Sequence, residues 1–153
     1  MLTPLNFPKA DLKLFKKEGQ LFVWDIFRKK RLKLTPEEWV RQHVLHYLVD
    51  ECGVPQTLIA SEYGIRVNDL ERRCDGVVFN RSGRPIAIIE CKAPIVKLQE
   101  STLHQIAQYN FSLDVKWLIL TNGLTTITAF IDSENKRIDY SKRIPTYTEM
   151  YVS

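Results

Sequence analysis

The chain has 153 residues, 44% of them apolar and 26% charged, with a net charge of +4. That length suits one domain, 1–153, with a core large enough to stand without staples, and the composition is that of a soluble globular protein rather than a repeat array or a low-complexity chain. The charge permits an anionic partner without requiring one. No apolar run approaches a membrane span and Met1–Gln20 lacks a signal-peptide layout, so a cytoplasmic protein with no membrane partner is expected. The three cysteines, Cys52, Cys74 and Cys91, are odd in number and lack zinc spacing, which reads as reduced thiols.

Along the chain, 1–20 mixes prolines and lysines and reads as an irregular N-terminal arm. Leu21–Phe27 reads as an edge strand entering the basic turn at Arg28–Lys33. Thr35-Pro36-Glu37-Glu38 is a helix start: Thr35 caps, Pro36 suits the first helical position, and acids favour the positive end of the dipole. That helix should run to Asp50 or Glu51 and stop at Gly53 and Pro55. At about 100° per residue, Glu37 lines up with Val44 and Leu48 while Glu38 turns toward the flank. His43 and His46 on the same helix lack a third ligand and read as surface or half-buried residues. Leu58–Val67 reads as a strand in which Gly64 suggests a bulge. Two apolar strands within Arg73–Pro94 are joined by turn material at Asn80–Gly83. A helix follows over about Ser101–Phe111. Lys116–Thr121 reads as a strand buried on both faces, Asn122-Gly123 as a tight turn, and Thr125–Ile131 as its return strand. Residues 132–153 read as a polar C-terminal tail. The order strand, helix, three strands, helix, two strands is a mixed α/β domain around one sheet.

The second strand of the Arg73–Pro94 hairpin ends in Glu90-Cys91-Lys92. A Glu-x-Lys triplet is a weak signal, and a second one, Glu134-Asn135-Lys136, stands in a polar loop. Context separates them, because Glu90 and Lys92 follow Ile86-Ala87-Ile88-Ile89 and alternation puts both on one face. Antiparallel pairing through the Asn80–Gly83 turn brings Asp75, at the start of the preceding strand, next to Glu90. Two carboxylates that close repel each other unless a cation lies between them. Oxygen ligands suit Mg²⁺ or Mn²⁺, with the backbone carbonyl of Cys91 as a third ligand. Such a metal polarises a phosphate and acidifies water, Lys92 can orient that water, and Glu37 can reach the metal through water. From the hairpin alone, a plain cross-strand ion pair among Asp75, Glu90 and Lys92, with the spare acid satisfied by Arg72 or Arg73, accounts for the same residues equally well.

The helix after Pro94 adds Gln105 and Tyr109, one turn apart on one face. An early helix with a Glu, an Asp, Glu-x-Lys and then Gln-x-x-x-Tyr resembles the PD-(D/E)xK nuclease superfamily. Within it, PEEWVRQ at Pro36–Gln42, RRCDGVVF at Arg72–Phe79, IIECKAP at Ile88–Pro94 and HQIAQYN at His104–Asn110 resemble the N-terminal nuclease domain of type I restriction enzyme R subunits. The resemblance covers 35–131 as the nuclease-like core. It implies a restriction-endonuclease-like mixed sheet (an αβββαβ core) flanked by helices, with one extra N-terminal strand. It further implies a Mg²⁺-dependent DNA endonuclease in which Asp75 and Glu90 hold the metal, Lys92 activates water, and Gln105 and Tyr109 order the DNA backbone, with Arg72 and Arg73 adding phosphate contacts. Other restriction or DNA-repair proteins are the implied partners. Cys74 stands where the superfamily name has Pro, and no Walker-type Gly-rich loop is present, so no motor is expected in this chain. The alternative is a non-catalytic DNA-binding or protein-interaction module that retains the fold.

Overall fold

The computed structural model describes residues 2–153, the side chain of Val67 excepted. It holds a three-stranded antiparallel sheet of β1 (Leu14–Lys17), β2 (Gln20–Asp25) and β3 (Lys30–Lys33), then helix α1 (Pro36–Asp50). A six-stranded mixed sheet follows, built from β4 (Ile59–Val67), β5 (Leu70–Phe79), β6 (Pro85–Cys91), β7 (Trp117–Thr121), β8 (Thr126–Asp132) and β9 (Arg137–Ser141) in sequential spatial order. Helix α2 (Glu100–Leu113) crosses over between β6 and β7, the one parallel pair among the described strands, and α3 (Tyr147–Val152) closes the chain. The expected αβββαβ order is α1, β4, β5, β6, α2 and β7.

Each face of the large sheet carries a core. Val40, Val44, Leu45 and Leu48 of α1 pack with Val78, Ala87, Ile89 and Ile119, and Tyr147 and Met150 of α3 complete that side. On the opposite face Leu103 and Ala107 of α2 pack with Val77, Ile88, Leu118 and Leu120. β7 is therefore buried on both faces, as its unbroken apolar run predicts.

Helix α1 starts as its sequence predicts: Thr35 accepts a hydrogen bond from the Glu38 backbone N–H, with Pro36 at the first position. Gly76 lets this helix come close to β5, since a Cβ there would lie 2.9 Å from Leu45 Cδ2 and 3.3 Å from Ile89 Cβ. That approach sets the height of α1 over the residue next door, Asp75.

Five expectations need correction. The single N-terminal strand is one of three, because Glu18 and Gly19 both take positive φ (51° and 79°) and fold β1 back on β2. The arm 1–20, whose first residue lies outside the described residues, thus ends in β1. It is also fastened down, with the Thr3 carbonyl accepting from Trp39 Nε1 at 2.7 Å and Asn6 N–H donating to the Gly123 carbonyl at 2.7 Å. The polar segment 132–153 supplies β9 and α3, the latter held by a reciprocal Thr146–Glu149 capping box. The irregularity in β4 falls at Glu62 (φ 50°), not at Gly64. His43 and His46 are buried, and burial lowers both imidazole pKa values. Finally, Glu38 is buried and Glu37 is exposed, the reverse of the helical-wheel expectation.

Candidate active site at the open end of the β5–β6 hairpin

The β5–β6 ladder pairs Gly76 with Ile89 and Val77 with Ile88, so Asp75 and Glu90 are the next residues in register, just past the last pair. The ladder stops there because the Asp75 carboxylate takes over the pairing: Oδ2 accepts the Cys91 backbone N–H at 2.7 Å. In a strand the carbonyl of the same residue points to the same edge, so Cys91 O lies on the Asp75 side. The Cys91 thiol is buried in the α1-side core, and burial pushes its pKa far up. The Lys92 backbone N–H turns the other way, to the Thr121 carbonyl of β7 at 2.9 Å.

Both acids are held by arginines. Arg41 of α1 donates to Asp75 Oδ1 at 2.8 Å, and Arg72 of β5 donates to Glu90 Oε1 at 2.7 Å. Arg41 also grips Glu38, which accepts from Arg28 Nη2 at 2.8 Å and from Gln42 Nε2 at 3.0 Å. Arg28 in turn pairs with the fully buried Asp25 at the end of β2. A continuous chain of charges, Asp25–Arg28–Glu38–Arg41–Asp75, thus ties the small sheet to the middle of β5, where the β5–β6 ladder opens. Glu62, exposed and at positive φ opposite Asp75, adds a carboxylate 3.4 Å from Arg41 and 3.5 Å from Arg28. Arg41 and Glu62 were not singled out in the sequence, and Glu38 was placed on the flank of its helix. Glu38 and Arg41 stand at i, i+3 on one helix, which is the signal that could have found them.

The electrostatics of the acid pair are lopsided. Burial, together with repulsion from Asp75 and a hydrogen bond to it, raises the Glu90 pKa to about 7 against the opposing pull of Arg72. Burial works against the charge on Arg41, yet the hydrogen bond to Asp75 and the carboxylates of Glu38 and Asp75 outweigh it and raise its pKa. Arg41 Nε and Arg72 Nη1 remain buried without hydrogen-bond partners. Two adjacent carboxylates beside a main-chain carbonyl form a hard-oxygen donor set that fits a divalent cation such as Mg²⁺. Among the described residues no group of three or more His, Cys, Asp or Glu side chains is arranged to hold a metal.

Residues 36–145 match the family described as type I restriction enzyme R protein N terminus (HSDR_N). The chain belongs to that family. No curated protein matches it. Among solved structures it is similar to a fragment of a candidate HsdR subunit of a type I restriction enzyme from Vibrio vulnificus YJ016, at 20% identity and a TM-score of 0.50 over 69% of this chain. The chain spans only 22% of that protein's length. It is also similar to a DUF820 protein from Anabaena variabilis ATCC 29413 described as a candidate nuclease, at 10% identity and a TM-score of 0.51 over 96% of this chain and 88% of that one. At those identities the likeness shows the fold alone, which is restriction-endonuclease-like.

Within this HSDR_N domain the remaining singled-out residues fall around the acid pair at different depths. Lys92 is half-buried and lines a depression with Glu37, Leu98, Gln99 and Thr102, so α1 and α2 both present their N-terminal turns to it. Glu37 lies 3.5 Å from Arg41, on the rim rather than inside. Tyr109 is exposed, and the Arg72 guanidinium sits 5.3 Å from its ring centre, so Arg72 bridges Glu90 and the tyrosine. Gln105 is exposed on the same helix, and Arg73 is exposed with only Glu62 nearby at 3.8 Å.

Proposed function

We propose that this HSDR_N domain is a Mg²⁺- or Mn²⁺-dependent deoxyribonuclease that hydrolyses phosphodiester bonds at the open end of the β5–β6 hairpin. The observation that carries the reading is the juxtaposition of Asp75 and Glu90 one register step beyond the last ladder pair, with Glu90 raised to about 7 by burial and by its acidic neighbour. A cation between them relieves that repulsion. Asp75 and Glu90 would hold it with the Cys91 carbonyl, and Glu37 would reach it through water. When bound it would supply Lewis-acid polarisation of the scissile phosphate and a more acidic water. Lys92 orients the attacking water and balances the negative charge that develops on the phosphate. Arg72 stays on Glu90 and beside the Tyr109 ring, where it adds positive charge to the phosphate path. Tyr109, Gln105 and Arg73 line the approach and position the DNA backbone without reading bases. The family relationship supports DNA as substrate and a restriction complex as the setting, and a chain of this kind would work with other restriction or repair proteins.

The test is plasmid cleavage in Mg²⁺ or Mn²⁺ by the wild type, Asp75→Ala and Lys92→Ala. The reading expects each variant to lose at least about 100-fold in rate, the loss typical of removing one preorganised charge-stabilising group. Equal activity in all three removes the assignment.

The clamping of Asp75 by Arg41 and of Glu90 by Arg72 favours a second reading, a DNA- or protein-binding module in which arginines stand permanently where a cation would be. That reading expects no heat of Mn²⁺ binding in calorimetry while DNA is still bound.

A further inference from the structure

The small sheet β1–β3 lies wholly outside the segment that matches the family, and it has two unlike faces. The registers Phe15↔Phe22, Phe22↔Lys33 and Trp24↔Arg31 put Phe15, Lys17, Phe22, Trp24, Arg31 and Lys33 on one face by strand alternation. The opposite face is the one that turns inward, carrying the buried Val23 and Asp25. No acidic side chain falls on the outer face. Phe15, Phe22 and Trp24 belong to neither core of the domain; Phe15 is 38% exposed, and Phe22 and Trp24 are half-buried. The Arg31 guanidinium lies 5.0 Å from the centre of the Phe15 ring, so cation and ring already form one composite surface.

We infer that this outer face is a binding platform for single-stranded DNA, with bases stacking on Phe15, Phe22 and Trp24 and the phosphates running past Lys17, Arg31 and Lys33. Cations alone would fit a duplex equally well. Rings interleaved with cations fit unpaired bases, whose faces a duplex keeps stacked away from protein side chains. Placement supports the same conclusion. Lys33 lines a depression with Glu37, Glu38, Arg41 and Glu62, and Arg41 holds Asp75, so a strand leaving the platform at β3 reaches the charged residues next to the acid pair. The platform would then feed a displaced or frayed strand to the site. In that respect the inference rests on the nuclease reading, whereas binding itself does not.

Fluorescence anisotropy in EDTA separates the two. The full chain is titrated into a labelled oligothymidylate and into a labelled duplex of equal length, alongside Phe15→Ala and Arg31→Glu, both at exposed positions where folding is checked by thermal melting. The inference expects the single strand to bind more tightly than the duplex. It expects Phe15→Ala to weaken single-strand binding by about fivefold or more while leaving its salt dependence, and Arg31→Glu to weaken it and flatten the salt dependence. Equal or tighter duplex binding, or unchanged single-strand binding in both variants, overturns it. Binding with this pattern in a chain that never cleaves DNA keeps the platform and removes the nuclease reading. Cleavage unaffected by both variants, without single-strand preference, does the reverse.

Discussion

The chain carries two Glu-x-Lys triplets, and their surroundings have almost nothing in common. Glu134-Asn135-Lys136 forms the β8–β9 turn, where Asp132 accepts from the Asn135 backbone and side chain, Lys136 takes φ 51°, and all three residues face solvent. Glu90-Cys91-Lys92 ends a strand buried between two helical layers, and its acid meets a second acid where the ladder opens. Solvent screens the charges of the first triplet to little consequence, whereas burial makes those of the second strongly interdependent. The chemistry a short motif can do is thus decided by what it is packed against, and each difference between the two triplets can be measured.

The largest difference in stability should come from the charge chain behind the buried triplet. Arg41→Met leaves Asp75 and Glu38 without their shared partner, and breaking a buried pair in this way costs about 3–5 kcal/mol. A large fall in the urea midpoint is expected, and an unchanged midpoint would mean that water compensates the two acids. Next comes pH. Glu90 titrates at about 7 in the folded chain against an ordinary 4.5, so the native state keeps a proton that the unfolded chain has already lost over that interval. The contribution of Glu90 to stability should therefore be fully present below the unfolded value and be lost as pH rises through about 7. In metal-free buffer Glu90→Gln should flatten that slope, and a wild-type melting temperature that is level across the window would contradict the shift. Smallest of all, Glu134→Ala and Lys136→Ala should each stay within about 0.5 kcal/mol of the wild type, as exposed substitutions do. A larger effect would show that the solvent-exposed triplet carries more than its surroundings suggest.

Where local chemistry decided a feature, it could be read from the sequence. The Thr35 cap, the Asn122-Gly123 turn, the buried β7 and the pairing that brings Asp75 to Glu90 all follow from residues close in sequence. The orientation of α1 did not follow, because every residue of Val40–His46 is buried and no single apolar stripe exists to orient the wheel. The small sheet on one side and the fastened N-terminal arm on another cover faces that a surface helix would expose to water. Those elements were themselves hard to see. β1 is short and exposed along its length, and its turn uses Glu18-Gly19 in place of the commoner Asn-Gly or Asp-Gly. The capping box Thr146-x-x-Glu149 was a readable helix start within the segment taken as a tail. An arginine from the Arg72-Arg73 pair on one of the acids could be read from the sequence, and Arg72 does hold Glu90, whereas Arg41 reaches Asp75 only after α1 has docked on β5.

The central claim is that Asp75 and Glu90 bind one divalent cation despite their arginine partners. Mn²⁺ titration followed by electron paramagnetic resonance tests it directly, comparing the wild type with Asp75→Asn. The account predicts one saturable Mn²⁺ site in the wild type and its loss in the variant. A wild type that binds no Mn²⁺, or a variant that binds it equally well, would contradict it.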